Sequence, residues 1–282
     1  MARFTRREIE DSYRTHPLRQ QTILRRVLEE RGSCQGLTEL DLAEDPVTGI
    51  SDQNHMGGLA FTRQLAEKAE ISSASRVLDV GCGLGGSARC LAFFYGCRVH
   101  GIDLSPERVS DARELTQLVG LDHLVTFDCA DAMADPLPDQ QFDVLWGQSA
   151  WGHFERKSAF LHKWTKALTA QGRFAIEDVC LLRCAGDEAE RTLLTSLEDH
   201  WTSYLVPLEG EAGWQGLMDE CHLATRCLED FSADLLGHFV ALQTGSTRPG
   251  AAPVSEFEQH AWRLAIHAAE AGLIGYFRIV AD

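Results

Sequence analysis

The segment that most constrains the fold is a glycine-rich turn at residues 77–86, VLDVGCGLGG. An apolar run precedes four glycines, Gly81, Gly83, Gly85 and Gly86, and a stretch with helical periodicity follows them. Glycine adopts positive φ without strain and lets the backbone approach a ligand closely, while the helix that follows presents its positive end. The turn therefore predicts a strand, a helix and a ligand site between them.

The chain after residue 76 alternates short apolar runs with helical segments. The predicted strands are 76–80, 98–103, 124–129, 142–147 and 173–179, followed by 223–231 and 275–281. Helices are predicted from residue 106, over 155–170 and around 257–271. Strands joined by helical crossovers favour an α/β fold with a doubly wound, seven-stranded and mostly parallel sheet, which is Rossmann-like.

A length of 282 residues suits one large α/β domain with a substantial core. We predict that residues 1–70 form an N-terminal helical lid and that residues 71–282 form the main domain. The alternation breaks after the fifth strand, which predicts an inserted helical cap at about 180–222.

The charge balance narrows the class of partner. The chain has 26 Lys and Arg against 42 Asp and Glu, a formal net charge of −16. A protein that binds nucleic acid or an anionic membrane needs clustered basic residues, so neither partner is expected. None of the nine cysteines has zinc-site spacing, so no metal site is expected. Without a signal core or a run of about 20 apolar residues, a cytoplasmic location is expected.

Two carboxylates near the turn indicate the kind of ligand. Asp103 ends the next predicted strand, 22 residues after Gly81, where a carboxylate can accept hydrogen bonds from ribose hydroxyls. Asp79 precedes the first glycine by two positions, and the glycine spacing is G-x-G-x-G-G instead of the dinucleotide pattern G-x-G-x-x-G. A carboxylate there disfavours a pyrophosphate and suits an ammonium group. The pattern points to S-adenosylmethionine as the cofactor.

Five segments occur in an order and spacing that resemble class I S-adenosylmethionine-dependent methyltransferases. They are VLDVGCGLGG, VHGIDLS, CADAM, FDVLWGQ and LTAQGRFAIED. Within that family, DQNHMGGLAFTRQLAE and the residues after the glycine turn resemble small-molecule enzymes of the sarcosine/dimethylglycine N-methyltransferase type, in the methyltransferase type 11 group. The resemblance implies that residues 71–282 form an S-adenosylmethionine-binding methyltransferase domain.

The resemblance also implies roles for residues around the turn. The backbone of Gly81, Cys82 and Gly83 would pack against the methionine and ribose of the cofactor. Asp79 would lie near the methionine amine, and Asp103 would hold the ribose hydroxyls.

Further cofactor contacts follow from the later motifs of the family. Leu104 would pack on the adenine, Asp131 would accept from the adenine amino group, and the Ala132 backbone would lie beside the ring. Gln148 would line the methyl-donor side. The stretch His55-Met56-Gly57-Gly58 would close over the cofactor from the N-terminal side, with Met56 as the predicted contact.

The segment QSAWGHF at 148–154 carries the candidate catalytic groups, His153 and Gln148. His153 has an ordinary pKa near neutrality, so it can accept a proton from a hydroxyl or carbon acid. The betaine-pathway enzymes carry an apolar segment here, so the departure to Trp-Gly-His shifts weight toward an O- or C-methyl acceptor.

Aromatic and acidic residues are the candidates for the acceptor site. The predicted substrate contacts are Tyr13, Trp151, Phe154, Asp178 and Trp201, with His16, Tyr204 and Trp214 as further candidates for the lid. An aromatic-rich cap implies an enclosed pocket and therefore a small acceptor.

The expected function is in-line methyl transfer from S-adenosylmethionine to a small molecule, with His153 as general base. The alternative is N-methylation of an amine or amino acid without a base. Less favoured are a non-catalytic cofactor-binding protein, an NAD-linked oxidoreductase and an arsenite methyltransferase. The expected partner is the small-molecule acceptor, and a homodimer remains open.

Overall fold

The computed structural model describes residues 3–14, 16, 18–43, 51–137, 141–205, 210–245 and 255–282. Seven strands form one sheet: β1 Arg76–Val80, β2 Arg98–Asp103, β3 Val125–Cys129, β4 Phe142–Gln148, β5 Leu168–Leu181, β6 Thr225–Asp230 and β7 Ile274–Ala281. Their order is β3-β2-β1-β4-β5-β7-β6. The first five strands are parallel, and β7 is antiparallel to both β5 and β6. The predicted Rossmann-like fold with a mostly parallel seven-stranded sheet is confirmed.

Helices precede the sheet, cross between its strands and extend beyond it. Four lie before β1: α1 Arg6–Arg14, α2 Gln20–Arg31, α3 Glu39–Ala43 and α4 Gly58–Lys68. The crossovers are α5 Gly86–Tyr95, α6 Pro106–Leu118 and α7 Lys157–Trp164. The remaining four are α8 Glu188–Trp201 and α9 Glu211–Glu220, before β6, and α10 Ser232–Gly245 and α11 Glu256–Glu270, between β6 and β7.

The sheet is covered on both faces, which explains why its central strands are apolar runs. In β1, Leu78 and Val80 belong to a core cluster with Phe160 and Trp164, whereas Val77 belongs to a second cluster with Leu91. Because parallel strands end at one edge, the last residues of β1, β2 and β4 meet there.

Local signals account for the helix that follows β2. The Ser105 side chain accepts a hydrogen bond from the Arg108 backbone N–H, and Pro106 occupies the first turn. Both features favour a helix start, because a cap satisfies a free N–H and proline has none to satisfy. Ser105 lies two residues after Asp103, and its backbone N–H donates to the Asp103 carboxylate, so the helix start helps to fix the position of that carboxylate.

The structure corrects the predicted helix over 155–170. Helix α7 ends at Trp164, and β5 already begins at Leu168, which pairs with Phe142 of β4. Sheet pairing therefore overrides the helical periodicity of this segment. The sequence does not predict helix α10, because its apolar residues form only a weak helical stripe.

The helices beyond β5 separate into two groups. Helix α9 places Trp214 in the main core cluster beside α7, so Trp214 is part of the core instead of the predicted lid. Helices α8, α10 and α11 pack on one another and against β7, and we call these three the cap. Among the residues that the structure describes, no helix is both long enough and apolar enough to cross a membrane.

Candidate active site

A cavity of about 350 Å³ lies at the carboxyl ends of β1, β2 and β4, and we call it the strand-end cavity. Nine of the ten predicted cofactor residues line it: Asp79, Gly81, Cys82, Gly83, Asp103, Leu104, Asp131, Ala132 and Gln148. The glycine turn thus brings the sequence-predicted residues together.

Asp103 is held in place by the backbone around it. Its two carboxyl oxygens accept hydrogen bonds from the N–H groups of Gly83 and Ser105, each at 2.9 Å. A carboxylate oxygen has a second lone pair, so Asp103 can still accept from hydroxyl groups of a ligand. A Cβ on Gly83 would meet no atom within 4 Å, which shows that this part of the turn faces open space.

Asp79 is the unsatisfied acid of the strand-end cavity. It is 2% exposed, and its Oδ2 has no hydrogen-bond partner among the described residues. Burial and the charge of Asp103 raise the pKa of Asp79 to about 8. A buried acceptor without a partner is costly, so this oxygen suits a cationic donor such as an ammonium group.

The charged lining of the strand-end cavity has an acidic excess. Its acidic side chains are Glu10, Asp52, Asp79, Asp103, Asp131 and Glu155, against Arg6, Arg108 and Arg156. Such a lining favours a ligand with net positive charge. Asp131 also accepts from the backbone N–H groups of Met133 and Ala134, so its position depends on its own loop.

A buried ion-pair network anchors the N-terminal segment over the turn. The Arg89 guanidinium contacts Glu39 at 2.8 Å and Asp52 at 2.5 Å, and all three side chains are fully buried. Any Cβ on Gly86 would lie 2.3 Å from the Asp52 carbonyl oxygen, so this close crossing requires glycine. The crossing carries His55 to the wall of the strand-end cavity.

A second cavity of about 420 Å³ lies between the cap, α1 and the ends of β5 and β7, and we call it the cap cavity. Five residues line both cavities: Tyr13, Asn54, His55, Ser149 and His153. The two cavities are therefore adjacent and share a wall that carries a phenol, two imidazoles, an amide and a hydroxyl, and we call this wall the junction.

Tyr13 and His153 form a hydrogen-bonded pair at this junction. The Tyr13 hydroxyl lies 2.6 Å from His153 Nε2, and His153 Nδ1 lies 3.0 Å from the Thr202 carbonyl oxygen. Because a carbonyl only accepts, Nδ1 carries the proton, and the Tyr13 hydroxyl donates to Nε2. Burial lowers the pKa of His153 to about 4 and raises the pKa of Tyr13 to about 12, so both groups are uncharged near neutral pH.

Gln148 lines the strand-end cavity, but protein partners occupy its amide. Its oxygen accepts from the Ser87 hydroxyl at 2.8 Å and from the Trp146 indole N–H at 3.2 Å. Its nitrogen donates to Glu177 at 2.7 Å, and Glu177 pairs with Arg278 at 2.5 Å. Gln148 is therefore part of the fixed floor of the cavity.

The structure places two predicted site residues elsewhere. Met56 lines the cap cavity instead of the strand-end cavity. Trp151 lines neither cavity, because its ring packs against Phe160 in the core, with ring centroids 4.7 Å apart. The backbone N–H of Trp151 donates to the Asp178 carboxylate, so the main chain of this residue, and not its ring, contacts a residue of the cap cavity wall.

The remaining predicted acceptor residues reach a cavity wall. Tyr13, Asp178 and Trp201 line the cap cavity, and Phe154 lines the strand-end cavity. The lid candidate His16 also lines the cap cavity, whereas Tyr204 lines the strand-end cavity.

Sequence reasoning missed two residues of the junction and one on β7. Ser149 follows β4 directly with φ of +51°, so its place after a strand end was a usable signal. Asn54 and Tyr276 carried no such signal, because only the packing of distant segments brings them to a cavity.

Comparison with known proteins agrees with this geometry. Residues 78–176 match the family described as methyltransferase domain. The methyltransferase GfsG of Streptomyces halstedii is 35% identical over 132 residues, which cover 47% of this chain and 48% of that protein. The chain spans about half or less of the length of the curated relatives it matches.

Two solved structures share the fold. A putative sarcosine dimethylglycine methyltransferase from Galdieria sulphuraria gives a TM-score of 0.71 at 18% identity, covering 96% of this chain and 97% of its own. Geranyl diphosphate C-methyltransferase from Streptomyces coelicolor gives a TM-score of 0.71 at 16% identity. The match covers 100% of this chain and 99% of that protein's chain. Identities this low support the fold alone. The family match likewise concerns residues 78–176, which are similar to a methyltransferase domain.

Proposed function

We propose that this protein transfers a methyl group from S-adenosylmethionine, bound in the strand-end cavity, to a small molecule bound in the cap cavity. The observation that carries the proposal is the junction between the two cavities. The methyl group passes from one ligand to the other, so the residues around it must contact both ligands. Tyr13, His55, Ser149 and His153 meet this condition because they line both cavities.

The strand-end cavity fits this cofactor in chemistry. The Asp79 carboxyl offers an unpaired buried acceptor to the ammonium group, and Asp103 retains lone pairs for the ribose hydroxyls. The acidic excess of the lining suits a ligand that carries a sulfonium. When bound, S-adenosylmethionine supplies an electrophilic methyl group and leaves as a neutral thioether.

Proximity supplies much of the rate in such a displacement, because the acceptor atom must lie close and in line. The protein contributes by holding fixed walls around the junction. Gln148 is locked from several sides, and the Arg89 network clamps the segment that carries His55. These contacts restrict the motion of the wall at the point of transfer.

The Tyr13–His153 pair supplies a route for the proton of a hydroxyl acceptor. The Tyr13 oxygen can accept the acceptor proton while its own proton passes to Nε2 of His153 across 2.6 Å. The resulting imidazolium would be stabilised by its Nδ1–H bond to the Thr202 carbonyl. General-base assistance of this kind favours a hydroxyl or carbon acid over an amine, which can react without a base.

The direct test combines binding with turnover. Calorimetric titration with S-adenosylhomocysteine should show one site per chain, and incubation with S-adenosylmethionine and a panel of phenols, carbon acids and amines should release S-adenosylhomocysteine. Absence of cofactor binding would overturn the proposal. Binding without turnover on any acceptor would favour a non-catalytic cofactor-binding protein, and turnover on amines alone would favour base-free N-methylation.

A further inference from the structure

The cap cavity carries information about the acceptor that the proposed function leaves open. Helices α8, α10 and α11 supply an aromatic wall that includes Trp201, Phe239 and Trp262. The rings of Trp201 and Phe239 stack with centroids 6.0 Å apart. A volume of about 420 Å³ is the size of a small-molecule site.

The one buried carboxylate in this wall is already satisfied. Asp178 is 4% exposed and accepts hydrogen bonds from the backbone N–H groups of Trp151 at 2.5 Å, Gly152 at 3.3 Å and Val179 at 2.7 Å. The buried Lys157 ammonium adds an opposing charge nearby. Asp178 thus holds the main chain around His153 and has little capacity left for a cationic ligand.

The other two acidic or basic residues of the wall do not charge its interior. Glu258 serves the start of α11, where its carboxylate accepts from the backbone N–H and the hydroxyl of Ser255. Arg25 is exposed to solvent. Neither side chain is a buried ion facing the acceptor.

Five histidines also line the cap cavity: His16, His55, His153, His200 and His238. Burial lowers the pKa of each, to about 3 for His16 and about 4 for His55 and His153. All five imidazoles are therefore neutral near pH 7, so the described residues of the wall offer no buried cation to an anionic ligand. An ion moved from water to this site would lose hydration without gaining a partner.

Three polar atoms in the wall nevertheless lack partners. The Ser203 hydroxyl, the Nε2 atom of His200 and the Tyr276 hydroxyl are buried, and none has a well-formed hydrogen bond to any described residue. Burial raises the pKa of the Tyr276 phenol well above its usual value, and the Ser149 hydroxyl at the junction is close enough to oppose part of that shift. Buried polar atoms usually have partners, so these three are suited to hydrogen-bond a ligand.

From these features we infer that the acceptor is an uncharged, largely apolar molecule that bears hydroxyl or carbonyl oxygens. The aromatic wall packs on its framework, and the three unpaired polar atoms bind its oxygens. A zwitterionic amino acid or a phosphorylated compound fits this cavity poorly, since each would bury charges that no side chain compensates. The inference rests on the proposed function, because it takes the cap cavity as the acceptor site.

Three probes of one framework but different charge test this inference. We would measure binding of 2-naphthol, 2-naphthoate and the 2-naphthylmethylammonium ion at pH 7.5 to the full chain saturated with S-adenosylhomocysteine, by calorimetry. We expect 2-naphthol to bind at least tenfold more tightly than either ion. Equal or tighter binding of a charged probe would overturn the inference.

Variants of the cavity wall show where 2-naphthol binds. They also distinguish a failure of the acceptor inference from a failure of the proposed function. Ser203→Ala and Tyr276→Phe should raise the dissociation constant of 2-naphthol at least threefold and leave that of naphthalene unchanged. Ser196→Ala, on α8 but outside the cavity, is the matched control and should change neither. Should S-adenosylhomocysteine itself fail to bind, the proposed function fails. If it binds while the variants leave 2-naphthol binding unchanged, only the acceptor inference is overturned.

Discussion

The strand-end cavity and the cap cavity are built in different ways. The walls of the strand-end cavity come mainly from strand ends between residues 79 and 156, with a few contacts from α1 and residues 52–55. The cap cavity draws on α1, residues 53–56, α8, α10, α11 and β7, which span nearly the whole chain. The family match covers residues 78–176. It therefore includes most of the residues that line the strand-end cavity and few of those that line the cap cavity.

The two cavities also differ in charge. The strand-end cavity is acidic and contains an unpaired carboxyl oxygen, whereas the cap cavity is aromatic and its buried ionisable groups are neutral or satisfied. Under the proposed function, the cofactor would account for the acidic lining of the strand-end cavity, and the acceptor for the position of the cap cavity outside the matched segment. Perturbations should therefore affect cofactor binding, acceptor binding and transfer separately.

The largest effect is expected at the junction, where transfer should fail while both ligands still bind. Tyr13→Phe and His153→Gln should each lower kcat by about 10²–10⁴-fold, the range for general-base assistance. The dissociation constant of S-adenosylhomocysteine should change less than about threefold, because neither side chain is a proposed cofactor ligand. Steady-state kinetics with a hydroxyl acceptor from the panel would measure kcat, and calorimetry would measure the dissociation constant of S-adenosylhomocysteine.

Exposed or distant residues of the same types serve as controls, and we choose Tyr95→Phe and His123→Gln. If His153→Gln left the rate unchanged across pH 6–9, His153 would not be the general base. The alternative of N-methylation without a base would then account for the junction better.

The second prediction concerns Asp103 and separates ligand binding in the strand-end cavity from ligand binding in the cap cavity. Asp103→Ala removes two charge-assisted hydrogen bonds within the turn and the proposed acceptor for the ribose, each worth about 1.5–3 kcal/mol. The dissociation constant of S-adenosylhomocysteine should rise about 100-fold or more, whereas 2-naphthol binding to the cap cavity should change less than about threefold. Calorimetry measures both.

Asp128→Ala, on the adjacent strand β3 with an exposed side chain, is the matched control. A thermal melt should verify that Asp103→Ala remains folded. Equal losses of both ligands in a folded variant would show that the cavities are not independent.

A smaller effect concerns pH. The pKa of Asp79 is raised to about 8, so the free protein holds a proton there at neutral pH, and a cationic ligand must displace it. Affinity for S-adenosylmethionine should therefore fall by up to about tenfold for each pH unit below 8, with proton release on binding. Binding of 2-naphthol should stay nearly constant from pH 6 to 8.

Calorimetry in buffers of different ionisation enthalpy would count the released proton. Asp79→Asn should flatten the profile, and Asp122→Asn, at an exposed position, should leave it intact. A steep profile in Asp79→Asn would assign the proton to another group.

Nine of the ten predicted cofactor residues line the strand-end cavity, because their positions depend on local determinants. Strand β1 and the glycines that follow it form one continuous segment, and Asp103 lies one crossover away. The same reasoning was wrong about Trp151, since aromatic residues after a strand can face either the core or a cavity. Only the packing of Phe160 against it shows that its ring belongs to the core.

The amino-acid sequence by itself determined the doubly wound sheet, the glycine turn and the acidic strand ends, because short-range periodicity and turn chemistry encode them. Tertiary structure alone decided that Tyr13 of α1 meets His153 across 140 residues, and that α8, α10 and α11 close over a cavity with an aromatic wall. Those contacts depend on how helices far apart in the chain pack on one another, and no local pattern records that packing.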